Sequence, residues 1–396
     1  MDVTKLGLGP APEDGLNKVH HAKTKNGVPV KFQNVYPSWQ HPSPLSMFWK
    51  MISGHITGKI KWPETTPPTV NIVKPEFLQD RFGSEELRTT WLGHACHYVE
   101  FPSGLRVLFD PVMEDRCSPL SWLGPKRYNP RACGIADLPF LDAVVISHSH
   151  YDHLSYPTVL EITKHHPKAH FFVGMGLASW FRSMGVQHVT EMDWWEDADL
   201  TLHLDGPAAK TEADAEPDAK RATVTAKISC LPSQHTSSRV PGVIDTTLWC
   251  SWAVRSGATP GEERSLWFGG DTGYRAVPEL PAGEDDWGEA HEHLPRNPQF
   301  KQIGELRGPF DLGLIPIGAY EPRYIMSAMH ADPADAVEIF RDTRCQRAIG
   351  IHWGTWTLTT EPVLEPPKRL RAALKRRGIA ETGVFDVCDI GESRVF

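Results

Sequence analysis

The sequence predicts a mixed α/β fold, and three observations support this prediction. Short apolar runs rich in β-branched residues alternate with stretches that have the apolar periodicity of helices. The first of these apolar runs predict a meander of strands, and several later runs are followed directly by a histidine or an aspartate. With 396 residues, 40% of them hydrophobic, the chain can form one large domain or two modest ones.

Each expected element follows from a local pattern. Apolar or aromatic runs predict strands at residues 89–92, 98–101, 106–109, 141–146, 170–173, 227–231, 248–254, 265–268 and 347–351. Capping residues followed by apolar stripes predict helices after Ser155 and after Asp332, and two more are expected at about 176–184 and 369–377.

We divide the chain into three parts. Residues 1–35 are polar, so we expect a poorly ordered N-terminal tail, with His20 and His21 as solvated surface residues. Residues 36–88 form an amphipathic segment, and residues 89–396 form the main domain. Surface insertions are expected at about 204–222, which is rich in Ala and acidic residues, and at about 281–301.

Charge and cysteine content exclude several classes of function. A formal net charge of −8 argues against a nucleic-acid partner, because the phosphate backbone normally requires a basic surface. The 7 cysteines include no C-x-x-C pair, which favours a reducing compartment over a disulfide framework. The sequence shows neither a signal peptide nor 18 consecutive apolar residues, so we expect an intracellular protein that is not secreted and does not span a membrane.

The segment "VYPSWQHPSPLSMFWKMISGHITGKIKWP" combines aromatic and aliphatic side chains with Lys50, Lys59 and Lys61. This mixture suits a bilayer interface, where rings lie at headgroup depth and lysines meet anionic lipid. A helix that packs on the protein's own core would have the same composition. The pattern alone leaves both interpretations open.

The stretch "ISHSHYDHLS", residues 146–155, carries the densest group of metal-binding side chains. Four donors, His148, His150, Asp152 and His153, follow the predicted strand 141–146 and precede the predicted helix. They therefore lie on a loop at a strand end, where chemistry is often placed. Neutral imidazole and carboxylate are the ligands preferred by zinc and its neighbours in the first transition row.

Three more donors follow other predicted strands: His235, Asp271 and His352. A single histidine after a strand is more often a hydrogen-bonded packing residue. Seven donors at four strand ends, however, match what two metal ions about 3.5 to 4 Å apart require.

In order along the chain, these seven residues resemble the H-x-H-x-D-H, His, Asp, His pattern of the metallo-β-lactamase-fold hydrolases. Asp110, in "RVLFDPV", resembles the early aspartate of that family. The resemblance implies a four-layer αββα sandwich. Within this superfamily, residues 30–396 resemble the phospholipases D that hydrolyse N-acyl-phosphatidylethanolamine, through motifs such as "TWLGHA", "GPKRY", "GDTGY", "IPIGAYEPR" and "IHWGT".

The resemblance implies two zinc ions per chain. One would bind His148, His150 and His235, the other Asp152, His153 and His352, with Asp271 bridging both and Asp110 orienting a ligand histidine from behind. A hydroxide bridging the two zinc ions would attack the phosphorus of N-acyl-phosphatidylethanolamine, giving N-acylethanolamine and phosphatidic acid. Either Asp152 or Asp271 would accept the water proton, and the sequence leaves this choice open.

Substrate contacts are predicted less directly. Tyr151 and His330 resemble residues that contact the lipid phosphate or its surroundings in the family, and Arg239 is either a phosphate contact or a solvated loop arginine. We interpret His94 and His97 as structural or supporting residues. The expected partners are N-acyl-phosphatidylethanolamine and a membrane surface, with a homodimer left open.

Two alternatives belong to other functional classes. A soluble dinuclear metal hydrolase of a small phosphate ester or lactone would keep the seven donors and would have no use for the amphipathic segment. A lipid-binding protein without activity would have lost at least one donor, and all seven are present.

Overall fold

The computed structural model describes residues 1–40, 43–58, 60–204, 222–240, 242–257, 261–281 and 283–396. The described helices are α1 (Glu13–Leu16), α2 (Pro44–Ile56), α3 (Tyr156–His165), α4 (Ala178–Ser183), α5 (Gln299–Leu306), α6 (Arg323–Met326), α7 (Pro333–Asp342) and α8 (Glu365–Arg376). The described strands are β1 (Asp2–Leu8), β2 (His21–Lys23), β3 (Pro29–Phe32), β4 (Arg88–Gly93), β5 (Cys96–Glu100), β6 (Arg106–Phe109), β7 (Ala143–Ile146), β8 (His170–Gly174), β9 (Val189–Met192), β10 (Glu196–Leu204), β11 (Ala222–Leu231), β12 (Ser238–Val240), β13 (Val243–Ile244), β14 (Ser251–Gly257), β15 (Arg264–Phe268), β16 (Phe310–Pro316), β17 (Cys345–Ile351), β18 (Phe385–Asp386) and β19 (Ser393–Val395).

Two large sheets carry the fold. One has the order β19-β4-β5-β6-β7-β8-β9, antiparallel up to β6 and parallel from β6 to β9. The other has the order β1-β10-β11-β14-β15-β16-β17-β18, antiparallel up to β15 and parallel beyond it. Each sheet thus combines an antiparallel meander with parallel strands, and the predicted meander of β4, β5 and β6 is confirmed.

The two sheets pack face to face with helices outside them. Along β7, Ala143 and Val145 belong to the core between the sheets, whereas Val144 and Ile146 belong to the core under α3 and α4. A strand buried on both faces is apolar at consecutive positions, which is why residues 141–146 stood out in the sequence. The helices α5, α7 and α8 cover the other sheet with apolar side chains that include Phe300, Val337 and Leu370. The fold is the expected four-layer αββα sandwich.

The predicted helix starts are confirmed by their caps. The hydroxyl of Ser155 accepts a hydrogen bond from the Thr158 amide at the start of α3. Asp332 caps α7 by accepting from the Asp335 amide, and Pro333 fills the first helical position. Such local signals are readable from sequence because donor and acceptor lie within one helical turn.

The N-terminal residues differ from our expectation. Residues 1–40, which we name the N-terminal strap, do not form a loose tail: β1 pairs with β10 at the edge of the larger sheet, and β2 pairs with β3. His20 and His21 are buried rather than solvated, and the His20 ring lies 2.7 Å from the Asp193 carboxylate. The strap was missed because an edge strand that exposes one face can be polar, as β1 is.

The other expected segments have mixed outcomes. Residues 205–221, nearly all of the first predicted insertion, lie outside the described residues, and this insertion joins β10 to β11. The second insertion ends earlier than expected, because Asn297, Gln299 and Phe300 are buried at the start of α5. Part of the amphipathic segment forms α2, and no helix in the described part of the chain is long and apolar enough to cross a bilayer.

Candidate metal centre

The predicted donors converge at one edge of the sandwich because each follows the carboxyl end of a strand. The loop after β7 carries His148 to His153, and the loops after β11, β15 and β17 carry His235, Asp271 and His352. The turn before Asp271 needs glycine at Gly270, which has a φ of +58° and where a Cβ atom would lie 2.5 Å from that of Ser147. Both sheets therefore contribute donors to one cluster.

The first donor group consists of His148, His150, His235 and Asp271. His150 Nδ1 lies 2.9 Å from His148 Nε2 and 3.2 Å from His235 Nε2. Asp271 Oδ2 lies 3.8 Å from His148 Nε2 and 3.6 Å from His235 Nε2. Tetrahedral bonds of about 2.1 Å separate ligand atoms by about 3.4 Å, so these spacings fit one ion.

The second donor group contains Asp152, His153 and His352. Asp152 Oδ2 lies 3.3 Å from His153 Nε2 and 3.4 Å from His352 Nε2, and the two imidazole nitrogens are 3.1 Å apart. These spacings fit a second ion.

Asp271 lies between the two groups. Its Oδ2 is 3.2 Å from His153 Nε2, and its Oδ1 is 2.9 Å from His352 Nε2, while the same side chain faces the first group. The Asp271 carboxylate therefore lies in the position that the resemblance implies for a bridging ligand.

The electrostatics of the cluster fit bound cations. Burial lowers the pKa values of His148 and His235, so both rings are neutral and can offer a lone pair. Burial opposes the charged form of His153, yet the carboxylates of Asp271 and Asp152, together with Asp110, raise its pKa well above the usual value. Three buried carboxylates in one cluster require compensating positive charge, which metal ions supply.

Asp110 supports the donors from behind, as the sequence suggested. One carboxylate oxygen accepts a hydrogen bond from the Ser147 amide at 2.7 Å, and the other lies 2.6 Å from His153 Nδ1. The Ser147 hydroxyl lies 2.8 Å from His148 Nδ1, and His235 Nδ1 is 2.9 Å from the carbonyl oxygen of Met329. These contacts fix ring orientation and leave Nε2 of each ring free for a metal.

Arg239 and Tyr151 are more engaged with the protein than we expected. The guanidinium of Arg239 donates to the carbonyl oxygens of Ser149 and Leu154 at 3.0 and 2.7 Å, and it stacks on the Tyr151 ring. The Tyr151 hydroxyl in turn donates to the Arg239 carbonyl at 3.0 Å. These contacts show that Arg239 holds the loop that carries four donors.

Two further histidines reach the cluster. His330 Nδ1 lies 3.9 Å from Asp271 Oδ2 and has no hydrogen-bond partner among the described residues. His94 Nε2 lies 3.0 Å from Asp152 Oδ2, so His94 is closer to the donors than its sequence suggested. His97, by contrast, points to the Thr89 hydroxyl at 2.8 Å and is structural, as expected.

Comparison with known proteins agrees with this geometry. The family model described as a β-lactamase superfamily domain matches residues 105–353. The chain is 37% identical over 379 residues to N-acyl-phosphatidylethanolamine-hydrolyzing phospholipase D 1 of Caenorhabditis elegans, a match that spans 93% of this chain and 92% of the relative. The chain belongs to the metallo-β-lactamase superfamily, in the phospholipase D family of this relative.

Other members of the superfamily are more distant. The mitochondrial N-acyl-phosphatidylethanolamine-hydrolyzing phospholipase D of Saccharomyces cerevisiae is 30% identical over 81% of this chain and 59% of its own length. Among solved structures, the metallo hydrolase Igni18 of Ignicoccus hospitalis is 20% identical over 78% of this chain and 98% of its own, with a TM-score of 0.45. As a superfamily member with two groups of candidate ligands, the protein is a metal-dependent hydrolase.

Proposed function

We propose that this protein is a phospholipase D-type phosphodiesterase that hydrolyses N-acyl-phosphatidylethanolamine to N-acylethanolamine and phosphatidic acid. The observation that carries the proposal is the pair of donor groups that share Asp271, in a chain 37% identical to a relative named for this reaction. Two zinc ions are the proposed cofactors, because imidazole and carboxylate ligands at these spacings suit zinc.

The two groups define which residues would hold the ions. His148, His150 and His235 would bind the first, and Asp152, His153 and His352 the second, with Asp271 shared. When bound, the ions would activate a water near neutral pH and offset charge on the phosphoryl oxygens.

The chain's own residues provide orientation and proton transfer. Asp110 holds His153 so that Nε2 faces the cluster. Between the two candidate proton acceptors, the side chain of Asp152 is 14% exposed and that of Asp271 is 2% exposed. We therefore favour Asp152, because the more accessible carboxylate can accept the proton of a water and release it.

A cavity of about 730 Å³ next to the loop that carries the donors supports a bulky anionic substrate. It is lined by both polar and aromatic side chains: Met113, Glu114, Asp115, Arg116, Ser118, Pro119, Ser121, Arg131, Tyr151, Ser155, Tyr156, Pro157, Trp180 and Arg239. Its arginines would attract a phosphodiester, and its rings and apolar surface would accept part of a lipid. Tyr151 and His330 remain our proposed contacts to the lipid phosphate.

The exposed apolar side chains of α2 support peripheral binding to a membrane. Leu45, Trp49 and Ile56 are 68%, 59% and 80% exposed, so more than half of each residue is accessible at the surface. Trp122, on the loop between β6 and β7, is 71% exposed as well. Aromatic and aliphatic groups beside Lys50 suit an interface with anionic lipid, and we propose that this surface carries the protein to its substrate.

The decisive experiment identifies the products. The purified zinc protein is mixed with phosphatidylcholine vesicles that contain N-acyl-phosphatidylethanolamine, and the lipids are analysed by mass spectrometry. We expect N-acylethanolamine and phosphatidic acid in equal amounts. Release of fatty acid or diacylglycerol instead, or cleavage of water-soluble phosphate esters and lactones alone, would refute the proposed reaction.

Vesicle flotation tests the membrane surface separately. Replacing Leu45, Trp49 and Ile56 by serine should lower both vesicle binding and activity on vesicles about tenfold or more, because apolar area is lost from the interface. A matched control replaces Val28 and Val30, which are 57% and 52% exposed in the β2–β3 hairpin, by serine. Equal binding by the two variants would contradict the proposed surface.

A further inference from the structure

His94 lies in the tight turn between β4 and β5 in an unusual backbone conformation. Its φ is +53°, in the left-handed region that residues other than glycine rarely adopt. Its amide donates to the Thr355 hydroxyl at 2.7 Å. Its carbonyl accepts from the His352 amide at 3.0 Å and from the Trp91 indole at 2.8 Å. Two contacts from distant parts of the chain, and one from Trp91 three residues earlier, thus maintain a backbone that is unfavourable in isolation.

The His94 ring is held as firmly as its backbone. It is buried, its centroid lies 4.0 Å from that of His352, and it packs edge-on against Trp356 at 5.0 Å. The ring places Nε2 at 3.0 Å from Asp152 Oδ2, the oxygen that also faces His153 and His352.

Ligating histidines usually donate their other N–H to the protein, and the Nδ1 atoms of His148, His153 and His235 each have such a partner. Among the described residues, the buried Nδ1 atoms of His94 and of the proposed ligand His352 have none. The role of His94 is therefore assigned from its Nε2, which lies 3.0 Å from Asp152 Oδ2. A neutral imidazole has one N–H, and on His94 that proton is placed best on Nε2, facing Asp152.

We propose that His94 is a positioning residue that donates from Nε2 to Asp152 Oδ2 and turns this oxygen toward the second metal position. The inference rests on the two-metal function proposed above. It assigns His94 to the second ion only, because the cluster around His94 consists of Asp152, His153 and His352 and contains no donor of the first group. Loss of this hydrogen bond therefore weakens the binding of the second ion and leaves the binding of the first ion unchanged.

The test compares side chains that can and cannot reach Asp152. Glutamine places an amide N–H near the position of Nε2, whereas asparagine is too short and phenylalanine lacks a donor. Full-length His94→Gln, His94→Asn and His94→Phe proteins are titrated with zinc in competition with a chromophoric chelator, which yields two dissociation constants. The titration needs no activity measurement.

We expect His94→Asn and His94→Phe to lower the affinity for the second ion by about 10- to 100-fold and the affinity for the first ion by less than about threefold. His94→Gln should retain most of the affinity. The matched control is His97→Phe, which removes another buried imidazole from β5 whose partner is Thr89, and it should leave both constants unchanged. The Gln and Asn pair decides the question even if a phenylalanine variant fails to fold.

Two results would overturn the inference while the proposed function stands. Wild-type constants in His94→Asn and His94→Phe would show that the hydrogen bond does not hold the second ion. Equal loss in the Gln, Asn and Phe variants would show that His94 is itself a ligand. A wild-type protein that binds fewer than two ions would instead overturn the proposed function, and this inference with it.

Discussion

The two donor groups share a loop and a carboxylate, but different parts of the chain support them. The first group depends on the N-terminal strap: the Asn34 amide donates to the His235 carbonyl at 2.7 Å, and Ser38 and Gln234 bond to each other. The second group is supported from within the smaller sheet, by Asp110 after β6 and by His94. The first group is thus supported by a segment whose residues 1–35 were expected to form a poorly ordered tail.

Some residues that support the site lie outside the range that the family model matches. The superfamily model matches residues 105–353, which include the seven donors and Asp110. The strap and His94 lie outside that range, although both contact residues of the cluster. The residues that support the site therefore extend beyond the range that the family model matches.

The largest effect is expected at the residue common to both groups. Asp271→Asn removes the shared negative charge, so we expect both ions to be lost on dialysis and activity to fall by at least about 100-fold, more than outer-shell changes usually cost. Elemental analysis and product formation measure this. Asp342→Asn, at a partly buried carboxylate that accepts a hydrogen bond from the Tyr274 hydroxyl and belongs to neither donor group, should retain both ions. If only one ion were lost from Asp271→Asn, the sharing of this carboxylate would be disproved.

A smaller, one-sided effect is expected from the strap. Replacing Asn34 and Ser38 by alanine removes the contacts to residues 234 and 235, and we expect the first ion to bind about tenfold more weakly while the second is unaffected. The measurement is again a zinc titration that resolves two constants.

Gln33→Ala serves as the control for the strap, because the Gln33 side chain bonds only within the strap, to the Val19 carbonyl. If the double alanine variant bound both ions equally weakly, or bound both as tightly as the wild type, the strap would not be a specific support of the first donor group.

The smallest effect on metal binding is expected at Arg239, and it should be equal for the two ions. Its guanidinium bonds carbonyls on both sides of the donor loop, and lysine cannot reproduce this fork. Arg239→Lys should weaken both ions equally, by a few-fold, and lower the free energy of unfolding by about 1 kcal/mol, measured in urea. An increase in KM for vesicle substrate without any change in zinc binding would show that Arg239 contacts the lipid instead.

Sequence reasoning predicted the parts of this molecule that have local signals. The strand that ends at Ile146 is apolar at consecutive positions, and the donors follow it directly, so strand and ligands were found together. Asp332 and Pro333 identify a helix start within four residues. The αββα layering, by contrast, came from the resemblance, because no local pattern specifies how two sheets pack.

The parts that were missed depend on contacts between distant positions. Asn34 and His235 are 201 residues apart, and His94 and Thr355 are 261 residues apart. Nothing in the composition of the strap distinguishes an edge strand with polar side chains from a disordered tail. A histidine after glycine at a hairpin turn is a weak signal, and only the fold brings it next to Asp152.

Anomalous diffraction from crystals of the zinc protein, recorded on both sides of the zinc absorption edge, tests the central claim most directly. We predict two peaks about 3.5 to 4 Å apart, one among His148, His150 and His235 and the other among Asp152, His153 and His352, with Asp271 contacting both. A single peak enclosed by four protein ligands, or no peak among these side chains, would contradict the account.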